Sequence, residues 1–130
     1  VELGKEQFGV SEHTDFGLLT ILCQDEIGGL QIKDLQGNWF HAPPIENTII
    51  VNVADLLSRW TEGEYKSTPH RVVNQSGKER MSIVLAFDPN PETLIDPKDI
   101  FGDSHKSKSD PITCGDYLIW RFGKAFSYRK

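Results

Sequence analysis

The stretch "HTDFGLLTILCQ", residues 13–24, decides the fold. From Phe16 onward it is a short, nearly continuous apolar run with β-branched residues, which is typical of a buried β-strand. Its head places His13 and Asp15 two positions apart, and alternate residues of a strand point to one face. The stretch therefore predicts a strand that carries an imidazole and a carboxylate on one side, although a single His-x-Asp pair is weak evidence.

The rest of the chain is also mostly β in pattern. Turn sequences that contain Gly and Asn separate several short apolar or alternating runs, and such spacing indicates a sandwich or a barrel. Further strands are predicted at residues 30–35, 39–44, 48–53, 70–73 and 80–87, with a helical turn at residues 54–60.

The last third of the chain has a different pattern. Residues 96–110 are polar and charged and predict an exposed loop. Thr113 and Asp116 then resemble a capping box, with Asp in place of Glu or Gln. Apolar residues recur at helical spacing, at Leu118, Phe122 and Phe126. We therefore predict a C-terminal helix that packs on the sheet.

Composition limits the classes of partner. The 130 residues fit one domain, and 19 acidic against 14 basic residues give a formal charge of -5. This balance argues against nucleic acid as the main partner, because phosphate binding needs a concentrated basic surface. We find no apolar run long enough for a bilayer and no signal-peptide pattern, so we predict no membrane partner and a cytoplasmic location.

The cysteines and the N-terminus add two expectations. Cys23 and Cys114 lie far apart and outside any Cys-x-x-Cys motif, so a reduced, intracellular protein is the simplest interpretation. One disulfide between them is the alternative. The chain has no initiating methionine and reaches Asp15 almost at once, so we expect a fragment of something longer.

A third metal ligand must come from another histidine. His105 lies in the charged loop and is predicted to be a solvated surface residue, and His41 is predicted to face outward from its strand. His70 begins a strand-like run and is the best candidate. Two histidines and one carboxylate form the facial triad of non-haem iron(II) oxygenases. A catalytic zinc site can use the same ligands, and the spacing alone does not decide between the metals.

Arg80 and Ser82 suggest a second binding feature. They stand two apart at the start of the predicted strand at residues 80–87 and should share a face. An inward arginine in an apolar strand is costly unless an anion meets it. Guanidinium binds carboxylate in bidentate fashion, each charge-assisted hydrogen bond contributing about 1.5–3 kcal/mol. A 2-oxo acid that chelates a metal at one end and is held at the other fits both features.

Together, "HTDFGLLTIL" and "STPHRVVN…ERMSI" resemble the 2-oxoglutarate and iron(II)-dependent oxygenases of the isopenicillin N synthase-like family. The similarity runs from about residue 8 to residue 91. It implies a mainly β fold, a double-stranded β-helix or jelly roll that this chain forms at least in part, with a C-terminal helix. We predict that residues 1–95 form the jelly-roll core and residues 96–130 an exposed loop and helix of the same domain.

The resemblance also implies residue roles. The predicted iron ligands are His13, Asp15 and His70, and Arg80 with Ser82 matches the family's Arg-x-Ser clamp for the far carboxylate of 2-oxoglutarate. No catalytic residue is predicted beyond the metal ligands. The implied cofactors are iron(II), 2-oxoglutarate as cosubstrate, dioxygen and, as an optional addition, ascorbate. The implied reaction decarboxylates 2-oxoglutarate to succinate and hydroxylates or desaturates a small organic substrate.

Three alternatives stay open. An iron oxidase of the same family that does not use 2-oxoglutarate could hold its substrate's carboxylate with Arg80 and Ser82. A truncated, non-catalytic fragment could serve as an interaction module. A zinc or manganese jelly-roll protein would have a different chemistry. In addition, Ala54 stands where the family often has glycine, and the upstream strand that usually supplies a tyrosine or asparagine lies before this chain. The sequence predicts neither the substrate's identity nor the oligomeric state.

Overall fold

The computed structural model describes residues 8–126. The elements are β1 (Phe8–His13), β2 (Leu19–Gln24), β3 (Leu30–Lys33), β4 (Trp39–His41), β5 (Ile50–Val53), α1 (Asp55–Trp60), β6 (His70–Val73), β7 (Ser82–Phe87), β8 (Leu94–Ile95), α2 (Lys98–Phe101), β9 (Ile112–Thr113) and α3 (Cys114–Ala125). The expectation of a mainly β chain with a C-terminal helix is confirmed.

A four-stranded antiparallel sheet has the order β1-β6-β3-β4. One row of directly opposed residues crosses all four strands, from His13 through His70 and Ile32 to Phe40. Directly opposed residues share a face, with Cβ atoms about 5 Å apart. The row therefore places two imidazoles beside two apolar side chains on one surface of the sheet.

A second sheet has the order β5-β2-β7, and a two-stranded sheet pairs β8 with β9. Within residues 8–126 the strands form these separate sheets and no closed barrel. Strand β7 begins at Ser82, so the prediction that Arg80 lies on this strand is wrong. Just before the strand, the Met81 N–H donates to the carboxylate of Asp25, a residue 56 positions away in sequence, and the Asp25 N–H donates to the Met81 carbonyl.

The described residues form two compact units. The first comprises residues 8–14, 21–52 and 68–85, and the second comprises residues 15–20, 53–67 and 86–126. The second unit has an apolar core, since Leu56, Ile95, Cys114 and Tyr117 are buried together. Burial of a large apolar side chain stabilises the fold by about 1.5–3 kcal/mol.

Helix α3 begins where the capping pattern predicts. The Thr113 hydroxyl accepts the Asp116 N–H at 3.2 Å and donates to the Asp116 carboxylate at 2.8 Å. Leu118 packs against the core of the second unit, whereas Phe122 and Phe126 are 50% and 41% exposed. Only part of the predicted apolar face is therefore buried.

Both cysteines are free thiols, so the disulfide alternative is not formed. Cys23 is exposed and Cys114 is buried, and burial raises the pKa of the Cys114 thiol. None of the helices found within residues 8–126 has the length and apolar character needed to cross a membrane.

Candidate metal centre

His13 and His70 face each other across the β1–β6 pair, with ring centroids 4.3 Å apart. The His13 Nδ1 lies 2.8 Å from the Ser11 carbonyl, and the His70 Nδ1 lies 3.1 Å from the Thr68 carbonyl. A carbonyl oxygen only accepts, so each Nδ1 must carry the hydrogen. In that tautomer Nε2 is the ring atom that can bind a metal, which is the usual arrangement of a metal-ligating histidine.

Asp15 completes a cluster of three possible ligands. Ligand atoms of His13, Asp15 and His70 lie within 4.8 Å of one another, and all three residues are half-buried. One carboxylate and two imidazoles on one side of an ion match the donor set of non-haem iron(II) and of catalytic zinc. The structure thus brings together the three residues predicted from the sequence. Strand β1 ends at His13 and Asp15 lies beyond it, however, so the prediction that one strand carries both residues is wrong.

The surface beside His70 is apolar. Ile32 lies directly opposite His70 and is 41% exposed, and Phe40 lies directly opposite Ile32 and is 52% exposed. Gln31 and Arg71, which are adjacent in sequence to Ile32 and His70, lie on the opposite face of the sheet. Their side chains are joined by a 2.7 Å hydrogen bond. A bound metal would therefore have apolar neighbours on the His70 side.

The other two histidines lie outside this cluster. His41 is exposed, as predicted, and its Nε2 accepts from the Gln31 amide at 3.2 Å. His105 is half-buried, which contradicts the prediction of a solvated residue. Its ring stacks on Phe101, and its Nε2 lies 2.9 Å from the Glu62 carboxylate.

Glu62, which contacts His105, has a lowered pKa. The Lys108 N–H donates to the Glu62 carboxylate at 2.7 Å. This hydrogen bond, together with the contact from His105, lowers the pKa of Glu62 below its ordinary value of 4.5. The arrangement ties the loop at residues 102–110 to the end of α1 and is structural in character.

Arg80 is held in a defined orientation by two hydrogen bonds. Its Nε donates to the Gly28 carbonyl at 2.5 Å, and its Nη1 donates to the Ser82 Oγ at 3.1 Å. Its Nη2 is buried and has no acceptor within the part of the chain that the structure describes. A buried unpaired donor is costly, and a charged one more so.

This arrangement fits the carboxylate of an incoming anion. The anion would accept from the unpaired Nη2 of Arg80, and the Ser82 hydroxyl, which accepts from Nη1, still has its own hydrogen to donate. Although Arg80 precedes β7 rather than sharing its face, the two side chains are in contact. The structure therefore brings the predicted pair together by a route that strand periodicity did not predict.

Gly28 and Gly29, which the sequence pattern identified only as a turn, form the backbone that contacts Arg80. Both have positive φ angles, +72° and +95°, which favour glycine. A Cβ on Gly29 would lie 2.7 Å from the Val73 carbonyl oxygen, so the backbones approach too closely for a side chain. The pair of glycines could have indicated such an approach, but nothing local indicated that Arg80 is the partner of the turn.

Comparison with known families gives a match over most of the chain. The model of the 2OG-Fe(II) oxygenase superfamily matches residues 3–89. A probable iron/ascorbate oxidoreductase of Dictyostelium discoideum is 44% identical over 94% of this chain and 37% of its own length. The 2-oxoglutarate-dependent dioxygenase citB of Monascus ruber is 40% identical over 88% of this chain and 35% of its own length. The chain thus spans about a third of the length of the curated relatives it matches.

Several solved structures are also similar to this chain over most of its length. A full-length Neurospora crassa protein in complex with alpha-KG has a TM-score of 0.83 and 38% identity, over 94% of this chain and 39% of that one. The same protein with alpha-KG and thymine has a TM-score of 0.82 and 39% identity, over 92% and 38%. A rice dioxygenase for auxin oxidation has a TM-score of 0.81 and 28% identity, over 91% and 41%.

Proposed function

The chain belongs to the 2OG-Fe(II) oxygenase superfamily, and we propose that it forms the catalytic part of an iron(II)- and 2-oxoglutarate-dependent oxygenase. The reaction hydroxylates or desaturates a small organic substrate and converts 2-oxoglutarate to succinate and carbon dioxide. In this proposal the iron ligands are His13, Asp15 and His70. Arg80 and Ser82 hold the far carboxylate of 2-oxoglutarate.

The observation that carries the proposal is the unpaired Nη2 of Arg80. It is buried without an acceptor among residues 8–126, while Nε and Nη1 of the same guanidinium are already bound. A zinc or manganese protein of different chemistry has no need of such a clamp. The ligand cluster alone fits several metals, whereas the cluster and the clamp together fit iron(II) with a dicarboxylic 2-oxo acid.

The residues of the chain orient and hold the reactants. The Nδ1 hydrogen bonds of His13 and His70 fix each ring so that Nε2 faces the ion. The Gly28 carbonyl fixes the guanidinium of Arg80 before any ligand arrives, so less entropy is lost on binding. When bound, iron(II) with 2-oxoglutarate and dioxygen supplies the oxidising chemistry. Three protein ligands on one side leave room for these reactants.

The substrate is proposed to be a small molecule with an apolar or planar part. The exposed side chains of Ile32 and Phe40, in the same row as His70, support this assignment because they can pack against such a part. The Neurospora crassa relative binds thymine, a small planar ring, in its solved complex. Feruloyl CoA ortho-hydroxylase 2 of Arabidopsis thaliana is 37% identical over 94% of this chain.

Two further assignments are part of the proposal. The two free thiols support a reducing compartment, the cytoplasm, which fractionation of cells expressing a tagged parent protein tests. Residues 96–130 are assigned to the same domain as residues 1–95, which is supported by the burial of Tyr117 of α3 together with Leu56 of α1.

The test is an anaerobic titration of the purified protein with iron(II) and then with 2-oxoglutarate. We expect tight binding of iron(II), a visible charge-transfer absorbance when 2-oxoglutarate is added, and release of succinate after admission of oxygen. The absence of both the charge-transfer absorbance and succinate would contradict the proposal. Iron binding with no response to 2-oxoglutarate would favour the 2-oxoglutarate-independent oxidase. No metal binding at all would favour an interaction module.

A further inference from the structure

The backbone at Asp15 is bonded to the start of helix α1. The Asp55 N–H donates to the Asp15 carbonyl at 2.9 Å, and the Leu56 N–H donates to the Gly17 carbonyl at 2.9 Å. The first N–H groups of a helix lack partners within the helix, and α1 has no side-chain cap. The segment that follows His13 therefore caps α1, and α1 in turn fixes the backbone of Asp15.

Asp88 holds the same segment through another backbone group. The Leu18 N–H donates to the Asp88 carboxylate at 2.7 Å. A Cβ on Gly17 would lie 1.9 Å from the same carboxylate oxygen, so the segment and Asp88 meet at a distance that only glycine allows. The backbone just after Asp15 is thus restrained by side-chain and helix contacts together.

Arg121 of α3 contacts two residues that define the position of Asp15. Its guanidinium forms an ion pair with the Asp55 carboxylate, and the two side chains are only 23% and 17% exposed. The same guanidinium lies over the Phe16 ring, 4.4 Å from the ring centroid. Phe16 follows Asp15 directly, and Asp55 supplies the N–H that the Asp15 carbonyl accepts.

We propose that Arg121 is a positioning residue for the metal centre, which it influences through Asp55 and Phe16 by fixing the backbone of Asp15. This inference rests on the proposed role of Asp15 as a metal ligand. Arg121 lies beyond residue 89, where the match to the family model ends, so the inference assigns a role at the centre to a residue outside the matched region. Loss of a residue that supports a metal ligand commonly lowers metal affinity by about 10–100-fold.

The test compares cobalt(II) binding by variants of helix α3, followed by the visible ligand-field spectrum. We expect Arg121→Gln to weaken cobalt affinity by about tenfold or more and to alter the spectrum, with partial recovery in Arg121→Lys. Lys124→Gln is the matched control, because it removes the same charge from the same helix and its ammonium lies over Trp120 instead. It should bind cobalt like the unmodified protein.

A second control separates positioning from stability. Leu118→Ala weakens the packing of α3 on its core without removing the Arg121 contacts. If it lowers cobalt affinity as much as Arg121→Gln at an equal loss of unfolding free energy, Arg121 has only a structural role and the inference is overturned. Should Arg121→Gln fail to fold, Asp55→Asn removes the ion pair but keeps the backbone N–H. It is expected to weaken cobalt binding, and unchanged affinity overturns the inference.

The outcomes also distinguish this inference from the proposed function. If the unmodified protein binds cobalt, Asp15→Ala does not, and Arg121→Gln binds normally with an unchanged spectrum, only the inference about Arg121 is overturned. If the unmodified protein binds no metal, both the inference and the proposed function are overturned.

Discussion

Ile32 on β3 lies directly opposite His70 on β6, on the face of the sheet that carries both imidazoles. We predict that Ile32→Glu places a carboxylate within reach of an ion bound to His70. The expected result is an altered cobalt(II) spectrum and binding about tenfold tighter, equivalent to about 1.4 kcal/mol. Lys33→Glu is the control, because the adjacent residue of a strand points to the opposite face. Equal effects of the two substitutions would contradict the register-based assignment of the face.

The three-ligand cluster predicts loss of metal binding on single substitutions. Asp15→Ala or His70→Ala removes one of the three ligands, so we expect iron(II) affinity to fall by at least about 100-fold. His41→Ala is the matched control, since His41 is exposed and pairs with Gln31 instead. Calorimetry with iron(II) under anaerobic conditions checks the prediction, and retention of full affinity in Asp15→Ala would refute the ligand set.

The clamp predicts a selective effect on the cosubstrate. Arg80→Ala removes the guanidinium whose buried Nη2 has no acceptor among residues 8–126. The binding free energy of 2-oxoglutarate should therefore weaken by about 1.5–3 kcal/mol per lost charge-assisted hydrogen bond. Iron(II) affinity should change little. Lys78→Ala, at an exposed position of the preceding turn, controls for net charge. Parallel loss of iron and 2-oxoglutarate in Arg80→Ala would mean that Arg80 supports the fold instead of binding the carboxylate.

Local pattern predicted most of the strands, the C-terminal helix and the ligand types, because strand alternation and helix capping depend on residues close in sequence. It missed α2 (Lys98–Phe101), which lies in the segment predicted to be an exposed loop. The His70–Val73 strand and the start of α3 directly after its N-cap Thr113 follow from such patterns. Contacts between distant residues could not be predicted in this way. Arg80 is hydrogen-bonded to Gly28, 52 positions away, and Arg121 to Asp55, 66 positions away. The sequence around each arginine does not indicate which distant residue it contacts.

The close contact at Gly17 predicts a specific coupling. Gly17→Ala introduces a Cβ 1.9 Å from the Asp88 carboxylate oxygen, and we expect a loss of about 1–3 kcal/mol in unfolding free energy from overpacking. Asp88→Ala removes the obstacle together with the hydrogen bond to Leu18. The double variant should therefore lose less stability than the sum of the single variants, as a double-mutant cycle by urea denaturation measures. If the losses of unfolding free energy of the two single variants simply add in the double variant, the strain from the added Cβ does not arise from Asp88.

The Glu62 carboxylate predicts acid sensitivity of the loop at residues 102–110. The hydrogen bond from the Lys108 N–H, with that from His105, lowers the pKa of Glu62 in the folded state. Its contribution to stability is therefore complete above the ordinary glutamate pKa of 4.5 and is lost as the pH falls through the lower folded value. Glu62→Gln should flatten the decline of unfolding free energy below about pH 4.5, while Glu64→Gln, a nearby exposed residue, should leave it unchanged. Denaturant titrations from pH 3 to pH 7 check this, and an identical acid profile for Glu62→Gln and the unmodified protein would show that the loop contact contributes nothing.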